Sequence, residues 1–245
     1  MKIKTKSFEL AVYAKGDPLS HKLAIITPGR LDTKDYIHNT SLVDMLAKEG
    51  YYALSFDPPG TWESTGSIEL YTMTNCLKAI DELIEHFGNK PTVLLGHSRG
   101  GSITMYAAPR NPSVTHFVSI FSSYGVPTPP TSDDEIIDDK LVELRDLPPG
   151  AQRSSTKKRY ELPLWYFEDA KPYNALSALR TCKKPKLFFY AEQDTINNPE
   201  HTKEAYRASA QPKKLLAINT EHDYRLHADK VAEINKAVKE FLQTL

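Results

Sequence analysis

Cysteine is scarce: there are two in 245 residues, Cys76 and Cys182, far apart and in unlike surroundings. They form neither a disulfide framework nor a closely spaced metal or redox motif, so both are read as reduced, structural thiols. Net charge is missing as well, with 31 Lys and Arg against 31 Asp and Glu. That balance implies no nucleic acid or other polyanionic partner. Long apolar runs are absent. No stretch approaches the roughly 18 residues of a membrane span, and the start, "MKIKTKSFEL", lacks the apolar segment of a secretory signal. The expectation is a cytoplasmic protein without membrane contact. Glycine is sparse too, 11 residues in all, which gives weight to a place where several gather.

What the chain does have is a series of short apolar runs: "LAIIT" (23–27), "YALSF" (52–56), "TVLLG" (92–96), "HFVSIF" (116–121), "KLFFYA" (186–191) and "LLAIN" (215–219). Each has strand length, and most are apolar at nearly every position. Continuous apolarity suits strands covered on both faces, as in a parallel sheet between helices. Helical spacing fills the gaps. Leu42, Val43, Leu46 and Ala47 share one face before Gly50, and Leu77, Ile80, Leu83, Ile84 and Phe87 do so before Gly88. Val231, Ile234, Val238, Phe241 and Leu242 form the last stripe. The pattern predicts one α/β domain over residues 1–245, with a doubly wound, mostly parallel sheet flanked by helices.

Residues 123–180 interrupt that alternation. They open with "YGVPTPP", continue through an acidic stretch at 132–147, "SDDEIIDDKLVELRDL", which reads as a helix, and pass a basic "STKKR" into the aromatic "YELPLWYFEDAKPY". The charge blocks read as solvated helix faces. Tyr160, Trp165, Tyr166 and Phe167 are too many aromatics for an ordinary loop, so they either pack on the main domain, line a pocket or form a homodimer surface.

The glycines gather at "LLGHSRGG", Leu94 to Gly101, where an apolar strand meets the helical "SRGGSITMYAA". A nucleophile at such a turn is held in a strained backbone, and residues two positions either side must be small. Gly96 and Gly100 meet that need around Ser98, and Gly101 lets the helix approach the sheet. The first amides of the helix, Arg99 leading, face the space over the serine oxygen, where charge develops in acyl transfer. A serine hydroxyl also needs a base within reach, and the base needs an orienting acid.

With those residues in view, the sequence resembles the α/β-hydrolase family over nearly its whole length. "GHSRGG" is similar to that family's nucleophile turn, and the family's order of nucleophile, acid and histidine implies Asp194 in "LFFYAEQDT" and His222 in "LLAINTEHDYR". The rivals are His227, at or inside the final helix, and Glu192, close to its strand. The second oxyanion amide is implied in "TPGRLDT", where Pro28-Gly29 replaces the family's usual His-Gly. Arg30 is the first choice there and Leu31 the alternative. "FDPPGTWES" resembles the family's Asp-x-x-Gly-x-x-x-Ser loop through Asp57, Gly60 and Ser64, with Pro59 where many members have arginine. The resemblance makes residues 123–180 a cap over the site, with Gly29, Leu31, Trp62, Trp165, Tyr166 and Phe167 as pocket residues.

The activity implied is hydrolysis of small to medium carboxylic esters, with a small-molecule ester as partner and neither metal nor organic cofactor. Peptide or amide cleavage and acyl transfer use the same three residues, and a non-catalytic binding protein can share the fold. Dehalogenation is disfavoured, since it needs a carboxylate where Ser98 stands. Arg30 and Arg99 flank the oxyanion position. Their ordinary reading is pairing with nearby acids or solvent, and the sharper one is a grip on a substrate carboxylate.

Overall fold

A computed structural model describes residues 1–125, 130–131 and 134–244. The opening of the 123–180 segment at 126–129, the start of the acidic stretch at 132–133, and the last residue lie outside the described residues.

The strand-length apolar runs become β3 (Leu23–Thr27), β4 (Tyr52–Phe56), β5 (Thr92–His97), β6 (Val114–Ile120), β10 (Lys186–Ala191) and β11 (Lys213–Ile218). Two further strands, β1 (Lys2–Lys4) and β2 (Glu9–Lys15), complete an eight-stranded sheet in the order β1-β2-β4-β3-β5-β6-β10-β11. From β4 to β11 every neighbouring pair is parallel, and β2 joins β4 antiparallel. Side chains leave a strand on alternate faces, so the continuous runs feed two cores at once. Leu23, Ile25 and Leu94 enter the core beneath α2 (Met73–His86) and α3 (Arg99–Arg110), whereas Ala24, Ile26, Val93 and Leu95 enter the one beneath α1 (Ile37–Lys48) and α7 (Ala228–Gln243). The stripe on α7 buries Val231, Ile234, Val238 and Phe241, each contributing about 2 kcal/mol by leaving water. Both cysteines are buried and unpaired. Among the described residues no helix is long and apolar enough to cross a membrane.

The segment between β6 and β10 departs from the reading of its sequence. The acidic stretch is a hairpin: β7 (Ile136–Ile137) and β8 (Lys140–Asp146) are joined by Asp138 and Asp139, with φ of 49° and 58°. Two consecutive residues at positive φ make the primed turn whose twist matches paired strands, and Asp tolerates that conformation better than most side chains. The basic "KKR" begins β9 (Lys157–Pro163), which pairs antiparallel with β8. The two charge blocks therefore face each other across a small sheet instead of coating a solvated helix. After them come the short α4 (Trp165–Ala170) and α5 (Leu176–Thr181), and α6 (Pro199–Ala208) follows β10. Tyr160, Tyr166 and Phe167 are buried within the chain. Trp165 alone of the four is exposed.

A buried ion-pair group ties this segment to the body. Asp146, at 4% exposure, accepts hydrogen bonds from Lys157, from the Ser154 amide at 2.9 Å and from Arg225 Nη2 at 2.6 Å. Burial alone would raise its pKa, but these partners outweigh it and hold the carboxyl well below the usual range. Arg225 also donates to the carbonyl of Gly150 and lies 4.8 Å from the ring centre of Tyr36, whose hydroxyl donates to the carbonyl of Asp146. A carboxylate with a depressed folded pKa stabilises above the ordinary carboxyl range and loses that contribution as pH falls through it. Asp146→Ala is expected to lower unfolding free energy at pH 7 by about 3 kcal/mol in urea titrations. The stability gap between wild type and Asp146→Asn is expected to narrow as pH drops below about 4.

Candidate active site

The sheet brings three loops to one point at the carboxyl ends of β5, β10 and β11. Ser98 sits where β5 turns into α3, with φ 52° and ψ −124°. A serine adopts that conformation only when its surroundings impose it. Here its amide donates to Ile120 O of β6 at 2.8 Å while its carbonyl receives the amides of Gly101 and Ser102. A Cβ on Gly96 would stand 2.2 Å from Gly100 O, one on Gly100 would stand 1.9 Å from Thr27 O, and one on Gly101 would stand 1.8 Å from Ser122 Oγ. Three missing side chains thus allow the close crossing of α3 over β3, β5 and β6.

Asp194 lies in the turn after β10 and His222 in the turn after β11. His222 Nδ1 is 2.7 Å from Asp194 Oδ2, and His222 Nε2 is 2.8 Å from Ser98 Oγ. The carboxylate can only accept, so Nδ1 carries the proton. In the neutral ring Nε2 is then the acceptor for the serine hydroxyl. Asp194 is itself fixed, its Oδ1 receiving the amides of Ile196 and Asn197 at 2.9 and 2.8 Å. The side chains of Asp194 and His222 are 1% and 6% exposed, so little water competes for these bonds. The rivals stand elsewhere: His227 Nε2 is 3.0 Å from Glu221 Oε1, and Glu192 is exposed.

The loop after β3 passes directly behind the serine. A Cβ on Gly29 would come 3.4 Å from Ser98 Cβ and 2.6 Å from Asp32 Oδ2. Leu31, at φ 55° and fully buried, donates its amide to Tyr71 Oη at 3.0 Å. Its amide is therefore engaged, which leaves Arg30 as the candidate donor in this loop.

A cavity of about 460 Å³ opens beside Ser98. Tyr166 and Phe167 line it, joined by Leu141, Glu143 and Arg145 of β8. Trp165 is 45% exposed and stands outside the cavity wall. Trp62 also fails to line the cavity, because it packs edge-on against Tyr36 and Tyr160 and donates Nε1 to Leu31 O at 2.8 Å. It supports the β3 loop from behind, as buried Leu31 does from within. The "FDPPGTWES" loop has the same supporting part. Asp57 Oδ1 accepts from Thr33 Oγ1 and the Lys34 amide, and Ser64 Oγ donates to Asp57 O.

Three residues of the site were not singled out from the sequence. Glu143 and Arg145 are two apart on a strand and share a face, which is invisible while the stretch is read as a helix. His97 precedes the nucleophile, and its Nε2 donates to the His222 carbonyl at 3.1 Å, bracing the turn that carries the imidazole. With Asp32 and His38 it forms a buried group whose ligand-type atoms lie within 4.8 Å of one another. His38 is fully buried, and burial pushes its pKa down to about 3, so it is neutral there.

With this geometry, comparison with known proteins gives a consistent result. A family model described as alpha/beta hydrolase fold matches residues 24–159. The lysophosphatidylserine lipase ABHD12 of Danio rerio is 26% identical over 209 residues, covering 83% of this chain and 51% of that protein. The mitochondrial palmitoyl-protein thioesterase ABHD10 of Bos taurus is 24% identical over 213 residues, covering 83% of this chain and 69% of that one. The chain thus spans about half the length of the zebrafish relative. Among solved structures, Est1E from Butyrivibrio proteoclasticus with bound ferulic acid superposes with a TM-score of 0.80 at 21% identity, over 100% of this chain and 98% of that one.

The crowding at the turn makes one expectation direct. Gly100→Ala, whose Cβ has no room against the Thr27 carbonyl, is expected to cost about 3 kcal/mol of stability and to lower the thermal midpoint measurably.

Proposed function

The chain belongs to the α/β-hydrolase fold family, and from that premise we propose that it is a serine hydrolase cleaving small to medium carboxylic esters. The observation that carries this reading is the unbroken hydrogen-bond chain from Asp194 through His222 to Ser98, at 2.7 and 2.8 Å. Both distances lie within the reach that proton transfer and nucleophile activation require.

In this mechanism Ser98 Oγ attacks the acyl carbonyl carbon while His222 Nε2 takes its proton. Asp194 keeps the ring in the reactive tautomer and stabilises the imidazolium. The amides of Arg99 and Arg30 receive the oxyanion, each donor worth about 3 to 4 kcal/mol. As the tetrahedral intermediate collapses, the bond to the alkoxy oxygen breaks and His222 Nε2 protonates the departing alcohol. Water then attacks the acyl-enzyme, its proton passes to His222, and the acid leaves as Ser98 regains its hydrogen. Residues 123–180 act as the cap over this chemistry. Tyr166, Phe167 and Leu141 give an otherwise polar cavity wall an apolar part that supports an acyl pocket.

Hydrolysis of 4-nitrophenyl esters from acetate to long acyl chains tests the proposal. Turnover is expected to fall by about 10³-fold or more in Ser98→Ala, and by about 10⁴-fold in Asp194→Asn, which fixes the wrong tautomer. A fluorophosphonate is expected to label Ser98. Absence of both labelling and turnover in the wild type would overturn the reading.

A further inference from the structure

Three guanidinium groups border the cavity beside Ser98: Arg30, Arg99 and Arg145. Their counter-charges are unevenly distributed. Arg30 and Arg145 both reach Glu143, at 2.8 and 3.3 Å, so a single carboxylate serves two of the three. The remaining cavity acids each face another group, Asp32 standing close enough to Arg145 to favour its charge. Asp223 faces Arg153 and Arg225, Asp32 lies against His97 and His38, and Asp134 accepts from the amide and hydroxyl of Thr131. Arg99 differs. Among the described residues no carboxylate stands within ion-pairing distance of it, and its Nη2, out of contact with solvent, has no hydrogen-bond partner.

Stacking is what holds Arg99. Its guanidinium carbon lies 5.0 Å from the ring centre of Tyr166, and that ring stacks on Tyr71 at 5.3 Å with 12° between their planes. Tyr71 is fixed in turn by accepting the Leu31 amide. A guanidinium held over an aromatic face still has its N–H donors in its own plane, where their fork matches a carboxylate in two parallel hydrogen bonds. A permanently charged group with a donor hidden from water and no acceptor is costly to maintain. The cost is removed when an anion arrives with the substrate.

Resting on the reading of Ser98 as nucleophile, we propose that the substrate carries a carboxylate on its acyl part and that Arg99 binds it. The side follows from the sheet order. His222 must reach the leaving oxygen, and it comes from the β10–β11 flank of β5. Arg99 stacks on Tyr166 of α4, whose ring stacks on Tyr71 at the approach to α2, and Tyr71 meets the loop after β3, so this group lies on the β3 flank. A group held there extends from the acyl carbon, away from the departing alcohol. One free guanidinium edge fits one singly charged carboxylate, which makes a monoester of a short dicarboxylic acid the matching class.

The test compares mono-4-nitrophenyl glutarate, charged on the acyl side, with neutral 4-nitrophenyl butyrate and with 4-acetoxybenzoate, whose charge leaves with the alcohol. In Arg99→Met the ratio of kcat/KM for the glutarate over the butyrate is expected to fall about ten- to hundredfold, chiefly through KM, with partial recovery in Arg99→Lys. Any change in the shared chemistry cancels in that ratio. An unchanged ratio overturns the proposal, and an Arg99-dependent preference for 4-acetoxybenzoate overturns its acyl-side placement. If the wild type hydrolyses none of the three, the esterase reading fails, and the anion site is judged by calorimetry of monomethyl glutarate with Ser98→Ala. Binding that is lost on adding Arg99→Met supports the site. Equal binding, or none in either protein, overturns it.

Discussion

The site depends on one steric constraint, the passage of α3 across the ends of β3, β5 and β6 at backbone contact distance. Gly96, Gly100 and Gly101 are the positions where that contact occurs, and any Cβ there would collide with a carbonyl, an amide or a hydroxyl. The crossing forces Ser98 to φ 52° and leaves its hydroxyl 2.8 Å from His222 Nε2. The neighbouring loops then need only ordinary turn chemistry. Asp194 and His222 follow adjacent parallel strands whose register delivers them to the serine. His97 adds a brace from the nucleophile strand to the loop of the base.

Much of this was legible in the sequence because parallel sheets leave a strong trace. Strands covered on both faces are apolar throughout, and their two-residue alternation is what fills both cores. The glycine spacing around Ser98 was legible for a related reason, since it records a distance of approach instead of a preference for a turn. The order of Asp194 and His222 was read from family resemblance, and geometry alone brought them within hydrogen-bonding distance. The hairpin at 136–146 was not legible. Its turn is Asp-Asp, where glycine gives the usual signal, and its charges are neutralised by partners across the sheet and by Arg225, which no local pattern reveals. Trp62 and Trp165 show the complementary limit. A large aromatic near a pocket in sequence can face it, support it or point outward, and the choice is made by neighbours far along the chain.

Arg30 and Arg99 began as equivalent arginines flanking the same loop region, and their surroundings separated them. Arg30 met an acid from β8, as a surface arginine ordinarily does. Arg99 met the ring of Tyr166, itself stacked on Tyr71, and among the described residues no acid within ion-pairing distance. The difference lies in shape as much as in charge, because a stacked guanidinium is oriented before any ligand arrives and loses little freedom on binding one.

Asp146 and Arg225 give the fold a further property. Arg225 stands three residues after His222, and its carboxylate partner belongs to the small sheet above the cavity. Raising that sheet would pull on the strap that carries the imidazole, so opening the roof and misaligning the base are one motion.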